Sequence, residues 1–433
     1  MINENTLPEK TPSFFHLPFQ YGTFKLNMDT LNKYSDFRRP KRPYLRIQTR
    51  KISFQHEVLT LSVILANETE EKVYIKVSPI ELLVSCSVDT DESYLSRYAY
   101  FALCDLMGIS DDYDFDTYYW PDLSDPKMQS KFLMVIKSRG SLYVGLKVRY
   151  HGLYKPGKYL LTLVKGNNVV VREIAHVMPP EAETTADNLV LGYNLAYTLH
   201  NEWHTGHYPF LIPYIGTLNK DTTAIKGFNR YILKEQDLPF LELTSSEQRL
   251  NEICLLMKEI APIHDPKYKE EENGWVDEQK VNKDHYCRLF ELWHEAFPLL
   301  QGKHYTHSRF TYGLRNVKRK PPKTEMRSCT ISNEQPELCF LWKEKGDYFK
   351  LELRFMVGGQ LYELPDHMIT SFFVRPAGNS QIFYLLNSIR DCEILAFFSE
   401  TDFRMLFLKV HYEAYFRYFV DQLREIYRFI NQR

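Results

Sequence analysis

The chain has 433 residues, a length typical of two to four domains. Hydrophobic residues make up 44% and charged residues 25% of the sequence, a balance that excludes disordered, collagenous and coiled-coil proteins. Because 54 Lys and Arg face 55 Asp and Glu, the net charge is -1, and binding to nucleic acid or membrane by bulk attraction is excluded. Any such contact must come from a local patch.

The cellular compartment is suggested by what the sequence lacks. The amino terminus has no basic segment followed by an apolar run, and no stretch of about 18 apolar residues occurs. The seven cysteines are scattered and form no CxxC pair, which is typical of reduced thiols. We therefore expect a cytoplasmic protein with no membrane contact, no cofactor and no cysteine-based zinc site.

The first 110 residues divide into two parts. Residues 1–40 are polar and have little hydrophobic periodicity, which predicts a flexible leader. Strand-like alternation follows from Tyr44 to Val88, and apolar residues at helical spacing run from Ser93 to Met107. Residues 41–110 are therefore predicted to be a small sheet followed by one helix.

The middle of the chain is predicted to contain a β-hairpin block and a helical region. In residues 111–187, turn signals at Arg139-Gly140 and Gly166-Asn167 each separate two apolar runs. In residues 188–312, Thr244 and Glu247 have the spacing of a capping box that opens a helix. A second apolar stripe at helical spacing runs from Tyr286 to Phe297.

The carboxyl-terminal part begins with a basic linker at residues 313–328. Residues 329–433 are predicted to be a β-meander with turns at Lys345-Gly346 and Gly358-Gly359, closed by a long helix from about Phe403. No internal repeat occurs. The predicted class is α+β, built from several small modules.

Familiar catalytic motifs are missing. The sequence has no GxxxxGK[ST], GxGxxG or GxSxG, so nucleotide motors, dinucleotide enzymes and elbow-type hydrolases lack support. His200, His204 and His207 form the best metal candidate, because two histidines at i and i+4 share a helix face. The order of residues is not HExxH, and surface or capping histidines are the alternative.

Two basic runs are the main functional signal. Cations among aromatic rings can contact phosphates and bases, although a solvated linker has the same composition. The first run consists of Arg38, Arg39, Lys41, Arg42, Arg46, Arg50 and Lys51. The second run consists of Arg315, Lys318, Arg319, Lys320, Lys323 and Arg327.

The segment YIKVSPIELLVSCSVDTDESYLSRYAYFAL, Tyr74 to Leu103, resembles the SWIM zinc finger. In that family a strand pair ends in CxC and a helix begins with CxH. Cys86 stands at the first ligand position, whereas Val88, Ser96 and Tyr98 occupy the other three. The resemblance therefore implies a vestigial site without zinc.

Later segments extend this resemblance. Residues Phe132 to Leu153, Asn188 to Lys220 and Pro298 to Lys303, with the terminal strands and helix, are similar to the accessory region ahead of the motor in bacterial Swi/Snf-type helicases. The resemblance covers most of residues 40–433 and includes no motor motif. The resemblance implies that the protein acts close to DNA and has a helicase or ATPase partner, but it implies no ATPase activity.

The leading hypothesis is a non-catalytic, nucleic-acid-associated accessory protein. The alternatives are a protein-interaction module without nucleic-acid binding and, third, a metal-dependent hydrolase built on the His200 cluster. No small-molecule substrate is indicated.

Overall fold

The structure is a computed structural model, and it describes fifteen stretches of the chain. They are residues 13–35, 47–66, 68–88, 92–119, 132–138, 141–163, 185–186, 188–198, 206–237, 243–263, 278–311, 317, 320–365, 371–379 and 381–432. The fold is α+β, as the sequence predicts.

The chain divides into two compact units. The first unit consists of Met1–Thr162 and Leu406–Phe419, and the second consists of Leu163–Met405 and Val420–Arg433. Each unit therefore takes residues from two separate parts of the chain.

The helices of the described residues vary from a single turn to 23 residues. They are α1 (Met28–Tyr34), α2 (Arg97–Met107), α3 (Ser245–Ile260), α4 (Glu278–Leu300), α5 (Ile389–Ser399), α6 (Lys409–His411) and α7 (Arg417–Ile426), with a π-helical turn at Tyr412–Phe416.

The strands of the described residues form several small sheets. They are β1 (Phe15–Pro18), β2 (Lys25–Asn27), β3 (Ile47–Gln55), β4 (Val58–Leu65), β5 (Glu71–Val77), β6 (Glu81–Cys86), β7 (Asp112–Asp114), β8 (Leu133–Ser138), β9 (Ser141–Leu146), β10 (Thr185–Ala186), β11 (Leu189–Tyr197), β12 (Phe210–Leu218), β13 (Ile225–Tyr231), β14 (Thr306–Phe310), β15 (Arg327–Ser328), β16 (Thr330–Ser332), β17 (Glu337–Glu344), β18 (Tyr348–Val357), β19 (Gln360–Tyr362), β20 (Phe373–Val374), β21 (Ile382–Leu385), β22 (Arg404–Leu408) and β23 (Arg428–Gln432).

A five-stranded sheet organises the first unit. Its order is β1-β6-β5-β4-β3, and α2 packs against its last four strands. The alternating residues of β4 and β5 bury Leu59, Leu61 and Val73, as expected for a sheet with one face on a core. The predicted sheet and helix of this region are present.

The predicted leader is wrong for residues 13–35. Phe15 and Leu17 are buried, and β1 pairs antiparallel with β6 along four residues. The segment also contributes β2 and α1, whose N-cap Asn27 accepts a hydrogen bond from the Thr30 amide. Four-residue strands are too short to produce a recognisable sequence period.

The first predicted hairpin of residues 111–187 is present in the first unit. Strands β8 and β9 pair antiparallel from Leu133↔Leu146 to Ser138↔Ser141. Its turn, Arg139-Gly140, lies outside the described residues, as does the predicted turn at Gly166-Asn167.

The middle region is not mainly helical, which corrects the prediction for residues 188–312. Strands β11 to β14 join β15 in a sheet of order β13-β12-β11-β14-β15, where β11 and β14 run parallel. The two predicted helices are present as α3 and α4, and α3 packs against β12 and α4. The capping box of Thr244 and Glu247 is also confirmed.

The carboxyl-terminal meander is present, but the closing helix has different bounds. Strands β17, β18 and β19 follow one another antiparallel, as predicted. Residues 404–408 form strand β22, and the helical segment begins at Lys409. After Ile426 the chain forms β23, which pairs parallel with β17 in the second unit. Sequence patterning also missed helix α5.

Candidate nucleic-acid interface

Two residues of the first basic run lie in the described part of the chain. Arg50 and Lys51 belong to β3, an edge strand of the first-unit sheet. Arg50 is exposed to solvent. Arg38, Arg39, Lys41, Arg42 and Arg46 lie outside the described residues.

Lys51 points into a pair of tyrosines. Its Nζ donates a hydrogen bond to the Tyr113 hydroxyl at 2.7 Å and lies 5.4 Å from the centre of the Tyr118 ring. Burial acts most strongly on its pKa and lowers it, but the hydrogen bonds and charges of the two tyrosines together leave the pKa above its usual value. Lys51 is therefore half-buried and held by the two tyrosines, unlike the exposed Arg50.

In its described part, residue 317 and residues 320–328, the second basic run is not a linker, which corrects the prediction there. Strand β15, which begins at Arg327, pairs with β14 and so joins the second-unit sheet. Val317 and Met326 are buried on either side of a turn closed by a hydrogen bond from the Glu325 amide to the Pro322 carbonyl. Lys320, Lys323 and Arg327 are exposed, whereas Arg315, Lys318 and Arg319 lie outside the described residues.

A third basic segment escaped the sequence-based prediction. From Pro126 to Arg172 the chain contains no Asp or Glu, so its charge is uniformly positive although the whole chain is nearly neutral. A scan for the spacing between acids, rather than for dense cationic runs, would have found it. The cations of this acid-free segment are Lys127, Lys131, Lys137, Arg139, Lys147, Arg149, Lys155, Lys158, Lys165 and Arg172.

The described centre of this segment is the hairpin of β8 and β9. Lys137, at the end of β8, and Lys147, which follows β9, are both exposed. The amide of Lys147 donates to the Phe132 carbonyl at 2.9 Å, so the ladder continues one pair beyond the two strands. Strand β9 packs against β3, the strand that carries Arg50. The structure thus brings part of the first basic run next to the basic hairpin.

One face of the hairpin exposes apolar side chains. Ile136 lies directly opposite Tyr143, and Met134 lies opposite Gly145. Residues directly opposite each other point to the same face, and so do residues two apart in a strand. Met134, Ile136 and Tyr143 therefore share a face, with 40%, 46% and 58% of their surfaces exposed. We call this face the Tyr143 platform.

Next to the hairpin, Arg149 is held against an aromatic ring. Its guanidinium lies 4.5 Å from the centre of the Tyr150 ring and donates a hydrogen bond to the Tyr150 hydroxyl. The ring of Tyr150 is fully buried and lies 4.7 Å from the ring of Phe132. Stacking on a fixed aromatic ring restricts the motion of a guanidinium whose charge is still exposed.

Lys155 differs from the other cations because it is only 4% exposed. Its Nζ lies 3.3 Å from Oδ1 of Asp116 and donates a hydrogen bond to the Asp116 backbone carbonyl. Burial lowers the pKa of Lys155 to about 8, against the opposing effect of the Asp116 carboxylate. An amine held in this way stabilises the turn at Asp116 and cannot contact a phosphate in solvent.

Three of the four SWIM ligand positions have other contacts in this structure. Ser96 is the N-cap of α2, and its Oγ accepts a hydrogen bond from the Ala99 amide at 3.2 Å. The Tyr98 hydroxyl donates to Oε2 of Glu68 at 2.7 Å. Cys86 ends β6 opposite Val73. A strand pair followed by a helix is present, as the resemblance implies, and its relation to a zinc finger stays a prediction.

His207 does not have the geometry of a metal ligand. It is fully buried, and both ring nitrogens have partners: Nδ1 lies 2.8 Å from the Tyr208 carbonyl and Nε2 2.5 Å from the Thr311 hydroxyl. Burial lowers its pKa, which keeps the ring neutral. His200 and His204 lie outside the described residues. Within the described stretches, no three His, Cys, Asp or Glu side chains are grouped as a metal site would require.

None of the helices in the described stretches is long and apolar enough to cross a membrane. Comparison with known proteins finds no family model, no curated protein and no solved structure that matches this chain.

Proposed function

We propose that this protein is a non-catalytic, nucleic-acid-associated accessory protein that contacts phosphates through its first unit. The observation that carries the proposal is the acid-free segment Pro126–Arg172, whose hairpin exposes Lys137 and Lys147 and packs beside the strand that carries Arg50. A local positive surface is what a protein with a net charge of -1 needs for contact with a polyanion.

The non-catalytic part of the proposal rests on the sequence, which contains no phosphate-binding loop or hydrolase elbow. A helicase or ATPase partner, implied by the resemblance to Swi/Snf-type accessory regions, belongs to the same proposal. The protein would then hold DNA for a motor that another chain supplies.

The test is a binding titration with a variant that removes three exposed charges of the first unit. In Arg50→Gln/Lys137→Gln/Lys147→Gln the aliphatic stems stay, so packing is largely conserved while phosphate contacts are lost. If all three cations contact phosphates, the slope of log K against log salt, measured between about 50 and 200 mM, becomes flatter by about 2 to 3. Affinity should fall to a similar degree for unrelated sequences.

The matched control removes three exposed cations from the other unit. Lys220, Lys226 and Arg230 lie on β13 and the turn before it, at one edge of the second-unit sheet. Lys220→Gln/Lys226→Gln/Arg230→Gln changes the net charge equally and should leave the salt slope at the wild-type value. Equal effects of the two variants, or no effect of the first, would contradict the proposal and favour the protein-interaction module.

A further inference from the structure

The exposed face of the basic hairpin is unusual in composition. A hairpin strand with one face on a core normally alternates buried and exposed residues. Strand β8 instead exposes Met134, Val135 and Ile136 in succession. Exposure of apolar side chains to water is unfavourable, and Met134 and Ile136, which share one face of the strand, indicate a surface that is covered by a ligand.

The Tyr143 platform is preorganised by a glycine. A Cβ placed on Gly145 would lie 2.7 Å from the Tyr143 hydroxyl oxygen and 3.0 Å from two ring carbons. The ring therefore lies along its own strand, in the space that the missing side chain leaves. With Ile136 directly opposite, the ring has backbone beneath it, an aliphatic neighbour beside it and 58% of its surface exposed.

The charges around this face select the ligand. Lys147 lies two residues after Gly145, on the same face as Tyr143, and continues the ladder by pairing with Phe132, whereas Lys137 follows Ile136 and points to the opposite face. No carboxylate occurs in the sequence from Pro126 to Arg172. A ligand that complements this face therefore has a flat apolar surface for the ring and, within a few ångströms of it, a negative charge for the cation.

We propose that the Tyr143 platform stacks unpaired bases of a single-stranded nucleic acid whose phosphates contact Lys147. Every base has a π-face, so stacking on an exposed ring beside cations binds single strands with little sequence preference. In a duplex these faces are already stacked on neighbouring bases and cannot stack on the tyrosine ring. The inference rests on the proposed function and adds the class of nucleic acid that it binds.

The experiment compares one labelled pyrimidine oligonucleotide as a single strand and as a duplex. Tyr143→Ala should weaken single-strand binding about 5- to 150-fold, the range measured for the loss of one stacked base, and leave duplex binding unchanged. Tyr143→Phe should keep the wild-type affinity because the ring stays. Tyr143→Leu should behave like Tyr143→Ala, since it keeps apolar volume but has no flat face. The salt slope should stay constant in all three variants.

The control variant is Tyr21→Ala, which removes another exposed tyrosine of the first unit. It should leave single-strand binding at the wild-type level. Thermal melting checks that each variant is folded. If Tyr143→Ala has a melting temperature well below that of the wild type, the affinities of Tyr143→Phe and Tyr143→Leu are compared instead.

Each remaining outcome has a defined meaning. If Tyr143→Ala loses equal affinity for single strand and duplex, or no more affinity than Tyr21→Ala, the stacking role of the Tyr143 platform is wrong. The proposed function is then still tested separately by the three-cation variant. Binding to phosphatidylserine vesicles that Tyr143→Ala abolishes, with single-strand binding intact, would assign the face to a lipid surface and overturn the inference. A three-cation variant with wild-type nucleic-acid binding would overturn the proposed function itself.

Discussion

Burial lowers the pKa of three histidines in the second unit, His207, His294 and His307. His294 lies on α4, and its Nε2 donates a hydrogen bond to the Leu386 carbonyl at 3.1 Å. Burial lowers its pKa to about 4, and the hydrogen bond to the carbonyl only partly offsets this effect. The same cause lowers the pKa of His207 and of His307. Neutral imidazoles of this kind use their ring nitrogens as hydrogen-bond partners.

The low pKa of His294 predicts a loss of stability in acid. Its pKa is about 4 in the folded protein and about 6.5 in the unfolded chain, so the unfolded chain binds more protons between these values. The stabilising contribution is complete above the unfolded pKa and is lost as the pH falls from about 6.5 to 4.

Urea unfolding of the wild type and of His294→Gln, each at about pH 7 and pH 5, measures this contribution. The wild type should lose on the order of 1 to 2 kcal/mol more than the variant between the two pH values. Gln can still donate to the Leu386 carbonyl, and the other histidines are the same in both proteins. Parallel pH dependences would show that His294 is not the group that titrates.

At the scale of the element, the central sheet of the second unit depends on one glycine. The Tyr214 ring of β12 crosses Gly192 of β11, and its hydroxyl lies 2.8 Å from Nδ1 of His307 on β14. A Cβ on Gly192 would lie 2.3 Å from two atoms of the Tyr214 ring and hydroxyl and 2.7 Å from the Tyr305 carbonyl oxygen. The link between β12 and β14 therefore exists because β11 has no side chain at this position.

Gly192→Ala should destabilise the protein by about 1 to 3 kcal/mol or more, because the added methyl group overpacks a fully buried ring. Gly227→Ala on β13 is the matched control, since a Cβ there meets no atom within 4 Å. Its effect on the free energy of unfolding should stay within about 0.5 kcal/mol. Similar losses for the two variants would contradict the close contact at Gly192.

At the scale of the whole molecule, each compact unit is completed by a distant part of the chain. In the first unit, the Tyr154 amide donates to the Leu406 carbonyl at 2.8 Å, and the ring of Phe416 lies 6.2 Å from the ring of Tyr154. Leu406, Phe407 and Phe416 are all buried. In the second unit, β23 supplies the parallel partner of β17.

A fragment of residues 1–162 should therefore be much less stable than the same fragment joined to residues 406–419 by a flexible Gly/Ser linker. Burial of each large apolar side chain of the added segment contributes on the order of 1.5 to 3 kcal/mol. Thermal melting of the two fragments measures the difference. Equal melting temperatures would show that residues 406–419 are not part of the folded unit.

Local features were predictable from the sequence because they depend on neighbours within a few residues. The capping box of Thr244 and Glu247 and the meander turns at Lys345-Gly346 and Gly358-Gly359 are of this kind. The hydrophobic stripes of α2, α3 and α4 are also local, since a helix repeats its buried face every three or four residues. The two basic runs could be recognised from the sequence because Lys and Arg are dense in them.

The strands of the middle region were missed because their patterns are ambiguous. All residues of β11 except Leu189 are buried, and it lies between β12 and β14 in the sheet, so its sequence does not alternate. A continuous apolar run of this length can belong to a buried strand or to a buried helix. Strand β22 has the same ambiguity, which led to the longer predicted helix at the end of the chain.

The sequence by itself determined the α+β class, the local helices and hairpins, and the supply of cations for the proposed phosphate-binding surface. Only the tertiary structure decided which cations are available, since Arg50 is exposed while Lys51 and Lys155 are held by Tyr113 and Asp116. It also decided that β9 lies against β3 and that β23 pairs with β17. These contacts join residues far apart in the chain, and their free energy comes from packing that no local pattern encodes.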